Sequence, residues 1–102
     1  RRMFSTGLVV CVPKGHALLL FARSSNAKKG IQLTNGVGVI DEDYCGPNDE
    51  LHLALHNISR EPYLLEPGER IAQGIFVPIT RAMFEEANDL SAPNRGGFGT
   101  TG

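Results

Sequence analysis

The sequence predicts an all-β domain, a sandwich or barrel of short strands, and three observations predict it. Apolar residues come in short runs instead of at the 3.6-residue rhythm of helices. Those runs are bounded by Gly, Pro and Asn; with 12 Gly and 6 Pro in 102 residues, about one position in six is a breaker, too many for long helices. Leu51, Leu53 and Leu55 alternate with His52, Ala54 and His56, the pattern of a strand with one buried face.

The elements follow in order. Residues 8–12 read as a strand closed by Pro13-Lys14-Gly15, and residues 17–22 as a second. Ser24-Ser25-Asn26-Ala27-Lys28-Lys29-Gly30 offers a hydroxyl for an N-cap and a glycine for the C-terminal stop, enough for one helical turn. Residues 31–34 and 37–40 flank Asn35-Gly36, a dipeptide suited to the positive angles of a two-residue turn, and predict a tight hairpin. The Leu51 strand comes next, then the turn Glu66-Pro67-Gly68-Glu69, then a last strand over residues 71–79. Residues 80–88 have helix propensity in a chain otherwise built of strands, and propensity alone leaves them open. Residues 91–102 hold four glycines and little that anchors to a core, so this tail is expected to be mobile.

Composition narrows the function. An apolar share of 41% and a charged share of 21% are globular values, and the length allows one domain, small enough that association with copies of itself would help stability. Ten basic against 11 acidic residues, with no basic block, argue against nucleic acid as a partner. No apolar run approaches the roughly 18 residues that cross a bilayer, and no secretory leader is apparent, so the chain reads as soluble and cytoplasmic with no membrane partner. Cys11 and Cys45 lie in unrelated contexts and read as two reduced thiols. On one strand, His52 and His56 share a face but stand about 13 Å apart, too far to hold one ion; His16 sits in a turn.

Three segments carry candidate chemistry. Arg23-Ser24-Ser25, at the start of the helical turn, is either an ordinary cap or an anion site in which guanidinium, hydroxyls and free N–H groups converge. Asp41-Glu42-Asp43 is a solvated turn, unless Asp41 points inward after the buried-looking pair Val39-Ile40. The tail, with Arg95, Phe98 and the glycines around them, is a frayed terminus or a lid whose Arg95 holds phosphate and whose Phe98 stacks on a flat ring.

Taken together, these segments resemble the trimeric dUTP diphosphatase (dUTPase) family. A-R-S-S-N-A-K-K-G at residues 22–30 is similar to its second motif, G-V-I-D-E-D-Y at 38–44 to the third, E-R-I-A-Q at 69–73 to the fourth and R-G-G-F-G-T-T-G at 95–102 to the fifth. The first motif, around A-G-x-D-L, whose aspartate the family associates with magnesium, is not in this chain. The expectation is a domain lacking its N-terminal segment, or one with altered metal binding. Four residues, P-N-D-E, lengthen a turn after Gly46, and the fifth motif is shortened, with Arg95 closer to Phe98 than is common.

The resemblance implies a β-clip fold, a distorted jelly-roll barrel over residues 1–90, in a homotrimer whose tails, residues 91–102, are exchanged to close over the active sites. It implies hydrolysis of dUTP to dUMP and diphosphate, keeping uracil out of DNA and supplying dUMP. Asp41 would polarise the attacking water and meet the sugar 3′-hydroxyl; a carboxylate with an ordinary pKa of about 3.9 is ionised at neutral pH and accepts a proton. Tyr44 would pack on the deoxyribose and exclude a 2′-hydroxyl. Asn35 and the main chain of residues 34–40, Val39 and Ile40 included, would read the uracil edge, with Gly36 and Gly38 permitting close approach. Arg23, Ser24 and Ser25 would cradle the inner phosphates, Gln73 and Arg95 the outer ones, and Phe98 would cover the base. Mg2+ would enter through the triphosphate, with no direct ligand from this chain. Two other readings stand beside this one. The related dCTP deaminases carry a catalytic Glu at a position that is Ala54 here, and a catalytically silent nucleotide-binding trimer is the other.

Overall fold

The structure is a computed structural model that describes residues 1–99. The described elements run β1 (Arg2–Ser5), β2 (His16–Ala22), α1 (Asn26–Lys29), β3 (Ile31–Leu33), β4 (Gly38–Ile40), β5 (His52–Asn57) and β6 (Ala72–Pro78). The strands divide into two antiparallel three-stranded sheets, β1-β5-β3 and β4-β2-β6. The all-β class holds, with one helical turn, but the sheets do not close into a barrel.

The hairpin expected at Asn35-Gly36 is where the sequence reading departs most from the fold. The turn forms, with Gly36 at φ 74° and its N–H 3.1 Å from the Leu33 carbonyl. Its two arms do not pair: β3 joins β5, with Leu33 opposite Leu55, and β4 joins β2, with Ile40 opposite Leu18. Burial explains the split. Ile31 and Leu33 cluster with Leu55 and Ile71, whereas Ile40 packs against Val12, Leu18, Leu20 and Leu51. Each arm follows its own apolar neighbours, so the turn is a corner between sheets.

β2 is the central strand of its sheet, and two glycines make room for it. Leu20 faces Gly38 on one side and Gly74 on the other. A Cβ at Gly38 would stand 3.3 Å from Leu20 Cβ, and one at Gly74 3.0 Å from Leu18 Cδ1. The space at Gly38 is therefore taken by Leu20.

Residues 8–12 form no strand; the first strand is instead β1, four residues long and two residues upstream, which the sequence pattern does not announce. Gly7 turns the chain at φ 74° and the Ser5 and Thr6 hydroxyls accept the Gly7 and Leu8 amides, local bonds that compete with a ladder. Beyond them only Val12 is buried. In α1 the stop is as expected, with Gly30 at φ 70°, but Ser25 makes no side-chain cap: at φ −64°, ψ −19° it is already helical, not in the extended geometry that aims a hydroxyl at later amides. The turn at residues 66–69 closes with Glu69 N–H on the Glu66 carbonyl at 3.1 Å and Gly68 at φ 80°, as Pro-Gly at its centre favours. The lengthened loop closes by two bonds: the Asp49 N–H donates to the Gly46 carbonyl and the Gly46 N–H donates to the Asp49 carboxylate.

The sheet body ends at Ile79, whose N–H donates to Gly15 at 2.9 Å. From Thr80 the described chain is irregular and almost wholly exposed, so the helix that local propensity offers for residues 80–88 does not form. Met83, Phe84 and Leu90 stand 97%, 99% and 86% exposed. The radius of gyration is 18.7 Å, against about 13 Å for a compact domain of this length, so the arm extends the particle well beyond its core. The last part of the expected tail, residues 100–102, lies outside the described residues.

Candidate functional site

The second and fourth motifs meet at one end of β2. Antiparallel pairing puts Phe21 opposite Gln73 and Ala22 opposite Ala72. Gln73 donates from Nε2 to the Ala22 carbonyl at 2.9 Å, and Arg23 Nη1 lies 3.4 Å from the Arg70 carbonyl. Directly after, Ser24 is exposed and Ser25 half-buried on the turn into α1, and the Ser24 carbonyl accepts the Ala27 N–H. Asn26 is 2% exposed and ties α1 to the other segment through Nδ2 to the Ile71 carbonyl at 2.7 Å. A guanidinium, two hydroxyls and an amide thus gather at one edge, a polar set suited to phosphate oxygens. Arg23 and Gln73 also line a cleft of about 810 Å³ between the sheets, floored by Leu18, Leu20, Leu51 and Leu53.

The third motif divides across β2. Asn35 and Gly36, both exposed at the corner, sit toward the Arg23 end, because β4 begins opposite Leu20. Asp41 sits at the other end, one residue beyond Ile40 and hence level with Ala17. With Gln73 level with Phe21, Asp41 and Gln73 are separated along β2 by four residues, about 13 Å at a strand rise of about 3.3 Å. Asp41 is exposed and does not point inward, and the pair before it is not buried: Val39 is 62% exposed and Ile40 half-buried. Tyr44 is half-buried against the Val12–Leu18–Leu20–Leu51 cluster, with its hydroxyl on the Glu50 carbonyl at 2.8 Å. Arg95 and Phe98 lie exposed on the arm, Phe98 with φ 54°. One chain therefore brings together Arg23, Ser24, Ser25 and Gln73, and leaves Asp41 apart from them.

Residue-by-residue reading missed the acids that fix these segments. Glu42 accepts the Gly15 N–H at 2.7 Å and pairs with Arg81 at 3.5 Å, holding the turn after Asp41 to the β2 entry and to the arm. Glu69 accepts from Tyr63 Oη, from Lys29 Nζ at 3.0 Å and from the Glu66 N–H. Hydrogen bonds from Tyr63, then Lys29, hold the Glu69 carboxyl down at about 2. The same contacts push Lys29 and Tyr63 up from their ordinary values, Glu69 being the main cause for both. The sequence signal was present only as i, i+3 acids around Pro-Gly; their partners are distant in the chain.

Cys11 and Cys45, apparently unrelated in sequence, are neighbours in space: the Cys11 thiol, by hydrogen bonding and charge, pushes the Cys45 thiol above its ordinary value. His52 and His56 lie on β5 with exposed side chains, as the alternation requires. Among the described residues no three His, Cys, Asp or Glu side chains gather as a metal ligand set, and no helix is long and apolar enough to cross a membrane.

Known proteins resemble this chain in sequence and fold. The sequence model of the dUTPase family matches residues 1–102. The deoxyuridine 5'-triphosphate nucleotidohydrolase of Methylocella silvestris is 45% identical over 105 residues, covering all of this chain and 64% of its own length. That of Lactococcus lactis is 41% identical over 105 residues, covering 99% of this chain and 69% of its own. A dUTPase structure from Streptococcus mutans superposes with a TM-score of 0.66 at 38% identity over 79% of this chain and 73% of its own. A Staphylococcus bacteriophage 80alpha dUTPase, solved with dUPNHPP, superposes with a TM-score of 0.72 at 25% identity over 92% and 71%. The chain belongs to the dUTPase family. It spans less than two thirds of the Methylocella protein, at 64% of its length.

Proposed function

We propose that the chain hydrolyses dUTP to dUMP and diphosphate in the cytoplasm, by attack of water on the α-phosphorus, at sites assembled between the copies of a homotrimer. The observation that carries this reading is the locking of the second-motif turn to the fourth-motif strand. The bonds from Gln73 to Ala22 and from Arg23 to Arg70 set Arg23, Ser24, Ser25 and Gln73 in one frame on a chain that matches the dUTPase family throughout. The names of the curated relatives and the dUPNHPP bound by the phage dUTPase supply the substrate class.

In this reading the chain's residues divide the work. Arg23, Ser24 and Ser25 hold the inner phosphates and Gln73 and Arg95 the outer ones, which neutralises charge and aligns the α-phosphorus. Asp41, exposed at the end of β4, takes the proton from the attacking water and holds the sugar 3′-hydroxyl. Tyr44, fixed by its bond to Glu50, presents its ring to the deoxyribose. Asn35 and the backbone as far as Val39 and Ile40 read the uracil edge, where a cytosine would leave polar groups unpaired. The tail, residues 91–102, closes Phe98 over the base. Mg2+ would accompany the triphosphate as part of the substrate and draw charge from the leaving diphosphate.

Asp41 and Gln73 lie toward opposite ends of β2, which supports a site in which Asp41 comes from one protomer and the phosphate residues from a neighbour. The test is release of diphosphate from dUTP, with Mg2+, by the full-length protein. Turnover of dUTP with no ammonia from dCTP is the expected result; ammonia from dCTP would reassign the chain to deamination, and tight dUTP binding without diphosphate would make it a silent binder.

A further inference from the structure

We propose that Lys29, Glu69 and Tyr63 form a clasp that positions the phosphate-binding turn, residues 23–25, against β6, making Lys29 and Glu69 positioning residues for the triphosphate. The inference rests on the function proposed above and adds residues that no step of it uses. The turn needs an outside hold because α1, which follows it, is four residues long and has no side-chain cap; so short a helix does not sustain itself. Its two ends are tied to the same neighbouring segment, residues 69–71, which leads into β6. At the start, Asn26 donates to the Ile71 carbonyl at 2.7 Å; at the end, Lys29 Nζ meets Glu69 Oε2 at 3.0 Å.

Glu69 is itself fixed. One oxygen accepts the Glu66 N–H, closing the turn that feeds β6, while the other takes both the Tyr63 hydroxyl and Lys29. Lys29 Nζ stands 5.8 Å from the centre of the Tyr63 ring, within cation–π range. The two charged side chains keep only 24% and 19% of their exposure, so solvent screens this pair less than a rim pair. Arg23 and Gln73 lie on the two segments that the clasp joins, so a slip of α1 against residues 69–73 moves one relative to the other. Lys29 has a second effect: Glu69 lines the same cleft as Arg23, and its charge is compensated before a triphosphate arrives.

The experiment uses Lys29→Met, Lys29→Arg and Tyr63→Phe, with two readouts. Hydrogen exchange of the backbone amides of residues 24–27 is expected to quicken about tenfold or more in Lys29→Met, the scale of one charged hydrogen bond, with residues 18–21 of β2 unchanged. Tyr63→Phe, which removes one hydroxyl and folds with the least disturbance, should move the same amides by less, and Lys29→Arg should restore protection. In binding, Lys29→Met should weaken dUTP about tenfold and leave deoxyuridine, which has no phosphate, unaffected. Unchanged exchange at residues 24–27, loosening that extends equally through β2, or equal loss of dUTP and deoxyuridine would overturn the clasp. If the unaltered protein releases no diphosphate from dUTP, the proposed function falls by that result alone, while the exchange data still decide the clasp.

Discussion

Asp41 stands exposed at the end of β4, and its assigned work is proton transfer, which an amide cannot perform. Asp41→Asn should lower turnover at least about 10²-fold while dUTP still binds, because the amide keeps its hold on the sugar; steady-state kinetics with parallel calorimetric binding decide it. Glu69 gives a pH signature. Its carboxyl is held at about 2 instead of the ordinary 4.5, so its contribution to stability is complete above the ordinary value and is lost as pH falls toward about 2. Denaturation of the wild type and Glu69→Gln should differ by a constant amount near neutrality, and the difference should shrink only below about pH 4.5. On the alkaline side the raised pKa values of Lys29 and Tyr63 act in the opposite sense, their contributions being lost as pH rises past the ordinary values. At this scale the sequence was legible where a motif fixes a residue's place, as with Arg23 at the turn into α1 or Asp41 just after β4. It was silent where the role depends on a partner far along the chain: Lys29 and Glu69 are separated by the whole of β3, β4 and β5, and nothing local in Cys11 or Cys45 announces that they meet.

Among elements, α1 depends on its glycine stop. Gly30 is at φ 70°, and a Cβ there would stand 2.6 Å from Ser59 Cβ. Gly30→Ala should therefore cost about 1–3 kcal/mol, read as a lower thermal midpoint, whereas the same change at Gly36, positive in φ but with open space around it, should cost less. The arm is the opposite case: Arg81 reaches Glu42, and most of the described arm is exposed. Truncation before Arg95 should abolish dUTP turnover and leave the assembly intact by sedimentation; loss of the assembly instead would make the tail structural. β2, β5 and β6 were legible as apolar runs bounded by breakers, with an alternation in β5 as well. The corner at Asn35-Gly36 was not, because turn chemistry specifies that the chain reverses there and says nothing about which strand each arm then finds. That choice was made by Ile31 and Leu33 on one side and Ile40 on the other, each pairing with apolar neighbours remote in sequence.

The whole molecule is a pair of small sheets with a long exposed arm, and its large apolar side chains are unevenly covered. Ile75 and Phe76 on β6 are each 50% exposed, and Met83, Phe84 and Leu90 on the arm more so, which fits a subunit whose neighbours complete it. The separation of Asp41 from Gln73 along β2 fits the same proposal, in which the residues for water and for phosphate come to one nucleotide from two subunits. Subunit mixing tests this claim most directly. Asp41→Asn and Gln73→Ala are each expected to be nearly inactive alone. Co-assembled at equal ratio from the full-length protein, they should recover about a quarter of the wild-type rate, because every trimer containing both variants regains one intact site in three. A mixture that co-assembles and stays as inactive as its parents, beside a wild type that releases diphosphate from dUTP, would contradict a site shared between chains.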